Sequence, residues 1–340
     1  MSLSCSAKET HFLSDWLSGR RNARVNYLLI ILPKMISFAL LLAIGFVCAW
    51  RGVLKDEGRS TLSGLLLSLV LPCLIVTLMH ERGTTFAKLW NYRRFVLCQI
   101  LLYFVLAAFG LLTAKLLHLK EGTYQVHSAI MMCGNHAFVV IPLVMALFGP
   151  EGGQELIPIG SVTDTILVWT LGIALFTRGV KQQESALKRL GSKFFNPIMF
   201  TIVAMLILNS IGVTLPEPVF GVCESIGTIS SSLGLLYVGC CIYYMPKGNF
   251  SAIKHTFVIA LIKLLLVPAL FYIVASRFLP NAEAVVLMLT AGAPCMTTSC
   301  MIANQYGLDE DYAASTVFVT TICCLITIPL LFIIISMANF

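Results

Sequence analysis

Two apolar segments of this chain are each interrupted halfway, at corresponding places in two halves. The first runs Ala129-Ile-Met-Met-Cys-Gly-Asn-His-Ala-Phe-Val-Val-Ile-Pro-Leu-Val-Met-Ala-Leu-Phe-Gly149. The second runs Val286-Leu-Met-Leu-Thr-Ala-Gly-Ala-Pro-Cys-Met-Thr-Thr-Ser-Cys-Met-Ile-Ala-Asn-Gln-Tyr-Gly307. A shift of 158 positions sets Gly134 on Gly292, His136 on Pro294, Phe148 on Tyr306 and Gly149 on Gly307. Glycine and proline both weaken a helix, proline by removing a donor as well. Inside a bilayer the backbone groups freed at such a break are tolerated only where they are buried in protein or line a wet cavity.

The bilayer is implied by composition. Apolar residues make up 58% of the 340 and charged residues 11%, where soluble domains run near a quarter charged. Mean hydropathy is +0.89. No soluble core could bury this much apolar surface, so the chain reads as an all-α polytopic membrane protein. Ten spans are expected: 26–50, 61–79, 95–117, 126–149, 156–177, 195–214, 219–245, 254–277, 283–306 and 312–337. Residues 1–25 form a polar tail rather than a signal peptide, because a full-length apolar run follows with no small-residue cleavage site.

The most polar interior stretch, 178–193, carries Arg178, Lys181, Lys188, Arg189 and Lys193. It separates a five-span half, 26–177, from a second five-span half, 194–340. An odd number of spans per half makes the second half insert upside down, so the expected plan is an inverted 5+5 repeat. Gly52-Val53 against Gly212-Val213 extends the likeness between the halves. So does the acid after each broken span: Glu151 and Glu155 against Asp309, Glu310 and Asp311. Loops on the side of 178–193 hold eleven basic residues and those on the other side five, leaving aside the tail. The positive-inside rule then puts 178–193 in the cytoplasm of a plasma-membrane protein.

Paired broken spans point to a carrier with a binding site at the membrane midplane. A half-helix that starts inside the membrane presents N–H groups and the positive end of its dipole, which suit a carboxylate. In span nine Pro294 precedes Cys295, Met296, Thr297, Thr298 and Ser299, which would open such a half-helix. In span four Asn135 and His136 follow Gly134, and Pro142 marks the far side. A proline-kinked structural helix capped by Asn135 would use the same residues, but the repeat favours a site. Substrate-binding candidates are therefore Asn135, His136, Pro142, Pro294, Cys295, Met296 and Thr297.

Ionisable groups within spans are costly and functional by default. His136 titrates near neutral pH. Asp164 sits in the polar run Gly160-Ser-Val-Thr-Asp-Thr165, and Lys263 lies mid-span before Pro268. Asp164 suits either coupling to H+ or Na+ or a buried ion pair with Lys263. Lys263 reads as a charge that holds the freed carbonyls of a broken helix. Lys34, Lys115 and Glu224 can reach the interface by snorkelling.

Twelve cysteines lack zinc-site spacing, and most lie inside apolar runs, where they serve as small hydrophobes. His80-Glu81 lacks the second histidine of a zinc-protease motif, and no P-loop or dinucleotide fingerprint is present. No enzyme activity, metal, cofactor or nucleic-acid partner is expected.

Four stretches resemble the auxin efflux carrier family, which includes bacterial malonate and dicarboxylate permeases and plant auxin exporters. They are Gly45 to Leu54 with Leu69 to Leu78; Gly134-Asn135 with Pro142 and Phe148-Gly149; Asn196-Pro197 to Leu215-Pro216; and Ala291 to Gly307 with Ala313-Ala314. The resemblance covers 26–340. It implies that spans one, two, six and seven form a scaffold that often dimerises, while the others form a moving transport domain. Broken helices four and nine would cross at the anion site, on the plan of sodium/proton antiporters and bile-acid symporters. Family members often place a small residue after the asparagine, where this chain has His136-Ala-Phe138. The short 178–193 loop differs from the large loop of plant exporters. The expected function is secondary-active or facilitative transport of a small organic anion, a carboxylate, with membrane lipids and a homodimer partner. The alternatives are a sodium-coupled bile-acid-type symporter and a membrane-embedded ligand sensor.

Overall fold

A computed structural model describes residues 29–148, 153–179, 197–244 and 250–338. The tail 1–25, the acid Glu151, Asn196 and most of the 178–193 loop lie outside them. The described residues are mostly helical and form no strand.

Seven helices are long and apolar enough to cross a membrane. They are α1 (Leu29–Trp50), α2 (Asp56–Glu81), α4 (Arg93–Leu116), α7 (Leu156–Phe176), α9 (Glu217–Tyr243), α10 (Lys254–Ala275) and α13 (Glu310–Ala338). Between them lie α3 (Phe86–Asn91), the apolar α8 (Pro197–Ser210), and two pairs of half-length helices. One pair is α5 (Thr123–Met132) and α6 (His136–Leu147); the other is α11 (Asn281–Ala291) and α12 (Thr298–Gln305). The fourth and ninth expected spans are thus each two helices with a non-helical joint at Gly134 and at Pro294.

Prolines shape the long helices without ending them. Leu66–Val70, His136–Val140 and Ile262–Leu266 each wind as one π turn, and each shortly precedes Pro72, Pro142 or Pro268. A proline cannot donate to the carbonyl four residues back, so the ladder slips by one residue and the turn widens. A fourth π turn, Val168–Gly172, ends at Gly172, where an added Cβ would come 2.9 Å from the sulfur of Cys133.

The outer surface is apolar, as lipid requires. Leu29, Ile36 and Leu40 of α1 are 61, 60 and 58% exposed. Helix α1 packs on α9 backbone to backbone. A Cβ on Gly45 would lie 2.1 Å from the carbonyl of Leu236, and one on Gly239 would lie 2.1 Å from that of Leu42. Small residues at a helix crossing allow this approach where no hydrophobic force drives helices together.

Polar contacts gather at two ends. At one, Tyr244 donates to the Leu54 carbonyl at 2.8 Å, Thr123 to Asp309 at 2.5 Å and Gln125 to the Arg178 carbonyl at 3.0 Å. At the other, Arg82 donates to Gln154 at 2.5 Å and Tyr92 to Glu155. There Asn209 also donates to the carbonyls of Met79 and Thr84, at 2.8 and 3.0 Å.

Candidate functional site

The two breaks satisfy each other. Helix α5 makes its last helical bond from the Cys133 amide to the Ala129 carbonyl, and Cys133 then turns to extended backbone. Gly134 and Cys295 form an isolated antiparallel bridge. Across it the Asn135 amide donates to the Pro294 carbonyl at 2.7 Å and the Met296 amide to the Cys133 carbonyl at 3.2 Å. Thr320 of α13 accepts from the Cys295 amide at 3.1 Å. Asn135 then starts α6, its side-chain oxygen accepting from the Phe138 amide at 3.3 Å.

Lys263 completes the joint. It is 0% exposed, and its Nζ donates to the carbonyl of Met131 at 2.9 Å and of Met132 at 3.4 Å. These are terminal carbonyls of α5, where a cation also meets the negative end of the helix dipole. Among the described residues no ion pair within 4.0 Å joins Lys263 to Asp164. Asp164 instead accepts a hydrogen bond from Tyr103 of α4.

A cavity of about 90 Å³ lies beside the joint. Its polar lining includes Asn135, His136, Ser161, Asp164, Thr297 and Thr298. Leu71 and Leu74 of α2, Phe138, Trp169 of α7 and Ile198 of α8 contribute apolar walls. None of its described lining residues is Lys or Arg. The N-caps of both second half-helices, Asn135 for α6 and Thr297 for α12, border this space. His136 is 6% exposed, and neither of its ring nitrogens has a hydrogen-bond partner; the hydroxyl of Ser161 has none either. Buried polar atoms left unpaired cost about 1–3 kcal/mol each, so such atoms beside a cavity are poised for a ligand or water. Asp164 interacts electrostatically with both His136 and Lys263.

Of the residues singled out in the sequence, the cavity brings together Asn135, His136, Met296, Thr297 and Asp164. Pro142, Pro294 and Cys295 do not line it. Pro142 is buried one turn into α6, the Pro294 carbonyl is committed to the bridge, and the Cys295 thiol, 0% exposed, faces the Ile130 carbonyl at 3.6 Å. Lys34, Lys115 and Glu224 are exposed on the outer surface. Sequence reasoning missed Tyr103 and Trp169. It also missed His127, which is fully buried between Thr113 at 2.8 Å and Tyr312 at 2.6 Å. The spacing of Gln99 and Tyr103, four residues apart, was the available signal: Gln99 donates to the Gly160 carbonyl at 3.0 Å on the same side of α4.

Thr297 also lines a larger cavity of about 560 Å³. That cavity reaches Asp56, Glu57, Arg59, Tyr244 and Glu310 at one end of the molecule. Arg59 is paired with Asp56 at 3.2 Å, so this mouth is acidic on balance.

A family model described as membrane transport protein matches residues 30–332. The chain is 26% identical over 314 residues to an uncharacterized transporter of Methanothermobacter thermautotrophicus, covering 87% of this chain and 95% of that protein. It is 23% identical over 295 residues to an uncharacterized transporter of Methanocaldococcus jannaschii, covering 86% and 94%.

Proposed function

Because the chain belongs to the membrane transport protein family, that of the auxin efflux carriers, we propose that it carries a small organic anion, a carboxylate, together with protons. The observation that carries this reading is the make-up of the 90 Å³ cavity: two half-helix N-caps, His136 with no hydrogen bond at either ring nitrogen, and Asp164, with no Lys or Arg among its described lining residues. The N-caps, their dipole ends and the Asn135 and Thr297 side chains would take the carboxylate. An ionised Asp164 in the same small space would repel it. Each proton taken up by the His136/Asp164 pair raises the site charge by one, so the anion and the proton bind together. The apolar walls favour one carboxylate with an apolar remainder over a dicarboxylate.

The carrier would work by alternating access. The 560 Å³ cavity would be its open path, leading from Thr297 to the end that bears Arg178 and thus, by the loop charges, to the cytoplasm. The grouping of loop contacts at two ends supports ten crossings, with 26–177 and 194–340 as inverted repeats. The hydrogen bonds between the two breaks support a crossing of spans four and nine.

The test is uptake into proteoliposomes of a panel of labelled mono- and dicarboxylates, each with and without a pH or sodium gradient. Saturable uptake that follows the pH gradient and is lost in Asn135→Ala is expected. A response to sodium alone would replace the proton with sodium. Binding without flux, in vesicles shown to be tight, would overturn the carrier reading in favour of a sensor.

A further inference from the structure

A second concavity, of about 470 Å³, lies between α4 and α7. Val96, Leu97 and Ile100 of α4 and Ile166 and Leu167 of α7 line it, and Thr163 is the one uncharged polar side chain among its described lining residues. The short helix α3 borders it with Phe86, Leu89 and Trp90, and Arg93 stands at that end. The Arg93 guanidinium sits 5.6 Å from the centroid of the Trp90 ring and donates to the Trp90 carbonyl at 3.2 Å. Among the described residues no carboxylate lies within 4.0 Å of Arg93. Its neighbour Arg94 is the one that interacts with Glu283.

Tryptophan and arginine at the start of a membrane helix are interface anchors. The trough therefore runs from headgroup level at Trp90 and Arg93 into the apolar depth beside Ile166. Its volume falls within the roughly 300–1,000 Å³ of ligand pockets. An apolar trough with one guanidinium at its interfacial end complements a lipid chain joined to a phosphate, since the guanidinium fork matches phosphate oxygens. The location adds a consequence. Val162, Thr163, Ile166 and Leu167 of α7 face the trough, while Ser161, Asp164, Thr165 and Val168 face the 90 Å³ cavity. One helix is the wall between them.

We propose that this trough binds an acyl chain of one anionic phospholipid, with its phosphate on Arg93, and that the lipid packs on the back of the helix presenting Asp164. The test is native mass spectrometry of the full chain, delipidated and then titrated with phosphatidylglycerol or phosphatidylcholine of matched chains. It needs no substrate, so it stands or falls apart from the transport reading. The wild type should retain one phosphatidylglycerol about fivefold more readily than phosphatidylcholine, the scale of one basic side chain at a membrane surface. Arg93→Gln should erase that preference, and Ile166→Trp, which fills the trough, should lower retention of both lipids. An undiminished preference in Arg93→Gln, or no lipid retained by the wild type, would overturn the proposal. Arg93 is exposed, so its variant carries the test even if Ile166→Trp does not fold.

Discussion

Replacing Asp164 by asparagine removes one charge from the proposed site and keeps the side chain's shape. A space of about 90 Å³, treated as a sphere, is about 5.6 Å across. An anion held in it therefore lies about 5 Å from the Asp164 carboxylate that lines the wall. At an effective dielectric of about 20, two like charges at that distance repel by roughly 3 kcal/mol, which is on the order of a hundredfold in affinity. The sign follows from the charge. Raising the pH ionises the His136/Asp164 pair toward its negative form, so wild-type affinity for the anion should fall with pH, by up to tenfold per unit until that limit is reached. Asp164→Asn should bind the anion on the order of a hundredfold more tightly than wild type at alkaline pH. It should also show a flattened profile and lose uphill uptake driven by a pH gradient while keeping exchange. Calorimetric titration across pH with the carboxylate found by the uptake panel reads the first effect, and counterflow in proteoliposomes the second. An Asp164→Asn profile that overlays wild type, with accumulation intact, would remove Asp164 from anion binding and from coupling.

Lys263→Met should lower the melting temperature in detergent. The charged hydrogen bond to the Met131 carbonyl is worth roughly 1.5–3 kcal/mol, and relief from burying the ammonium offsets only part of it; an unchanged melting temperature with full uptake would count against this role. His136→Ala should change the pH dependence of uptake more than it lowers the melting temperature, because the ring makes no hydrogen bond that would be lost. An unaltered pH profile at normal expression would remove the histidine from the mechanism. Gly239→Ala drives a methyl to 2.1 Å from the Leu42 carbonyl and should cost roughly 1–3 kcal/mol by prying α1 from α9. Gly221→Ala, with nothing within 4 Å, should be neutral or stabilising, and equal melting temperatures for the two variants would contradict the packing described.

The interruptions were legible because glycine and proline act on their own helix whatever surrounds it. Gly134 and Pro294 mark where α5 and α11 give way, to within a few residues. Their mutual bridge was less legible, since hydrogen bonds between distant strands of backbone leave no local signature. Several helices start before the expected apolar run because polar residues form their first turn, as with Asp56–Glu81 against 61–79, and several stop short of its end, as with Pro197–Ser210 against 195–214. Lys263 could be read as a cation in need of carbonyls, but the carbonyls of Met131 and Met132 were set by how α10 packs on α5. The sequence leaves Asp164 open to ion coupling or to an ion pair with Lys263, and in the structure it accepts a hydrogen bond from Tyr103. The choice depends on the rotation of α7 about its axis, which Ser161, Thr163, Asp164 and Thr165, spread around the helix, do not encode. The same reason hid the His127–Tyr312 contact and left Pro142, Pro294 and Cys295 off the cavity wall.

Joint passage of an anion and protons at the joined breaks can be recorded in one experiment. It is tested most directly in proteoliposomes holding a pH-sensitive dye, by adding the carboxylate found in the uptake panel and recording internal pH. Saturable proton movement is expected, scaling with substrate flux and dropping to the level of empty vesicles in Asn135→Ala. Substrate flux with no accompanying proton movement, or proton movement untouched by Asn135→Ala, would contradict it.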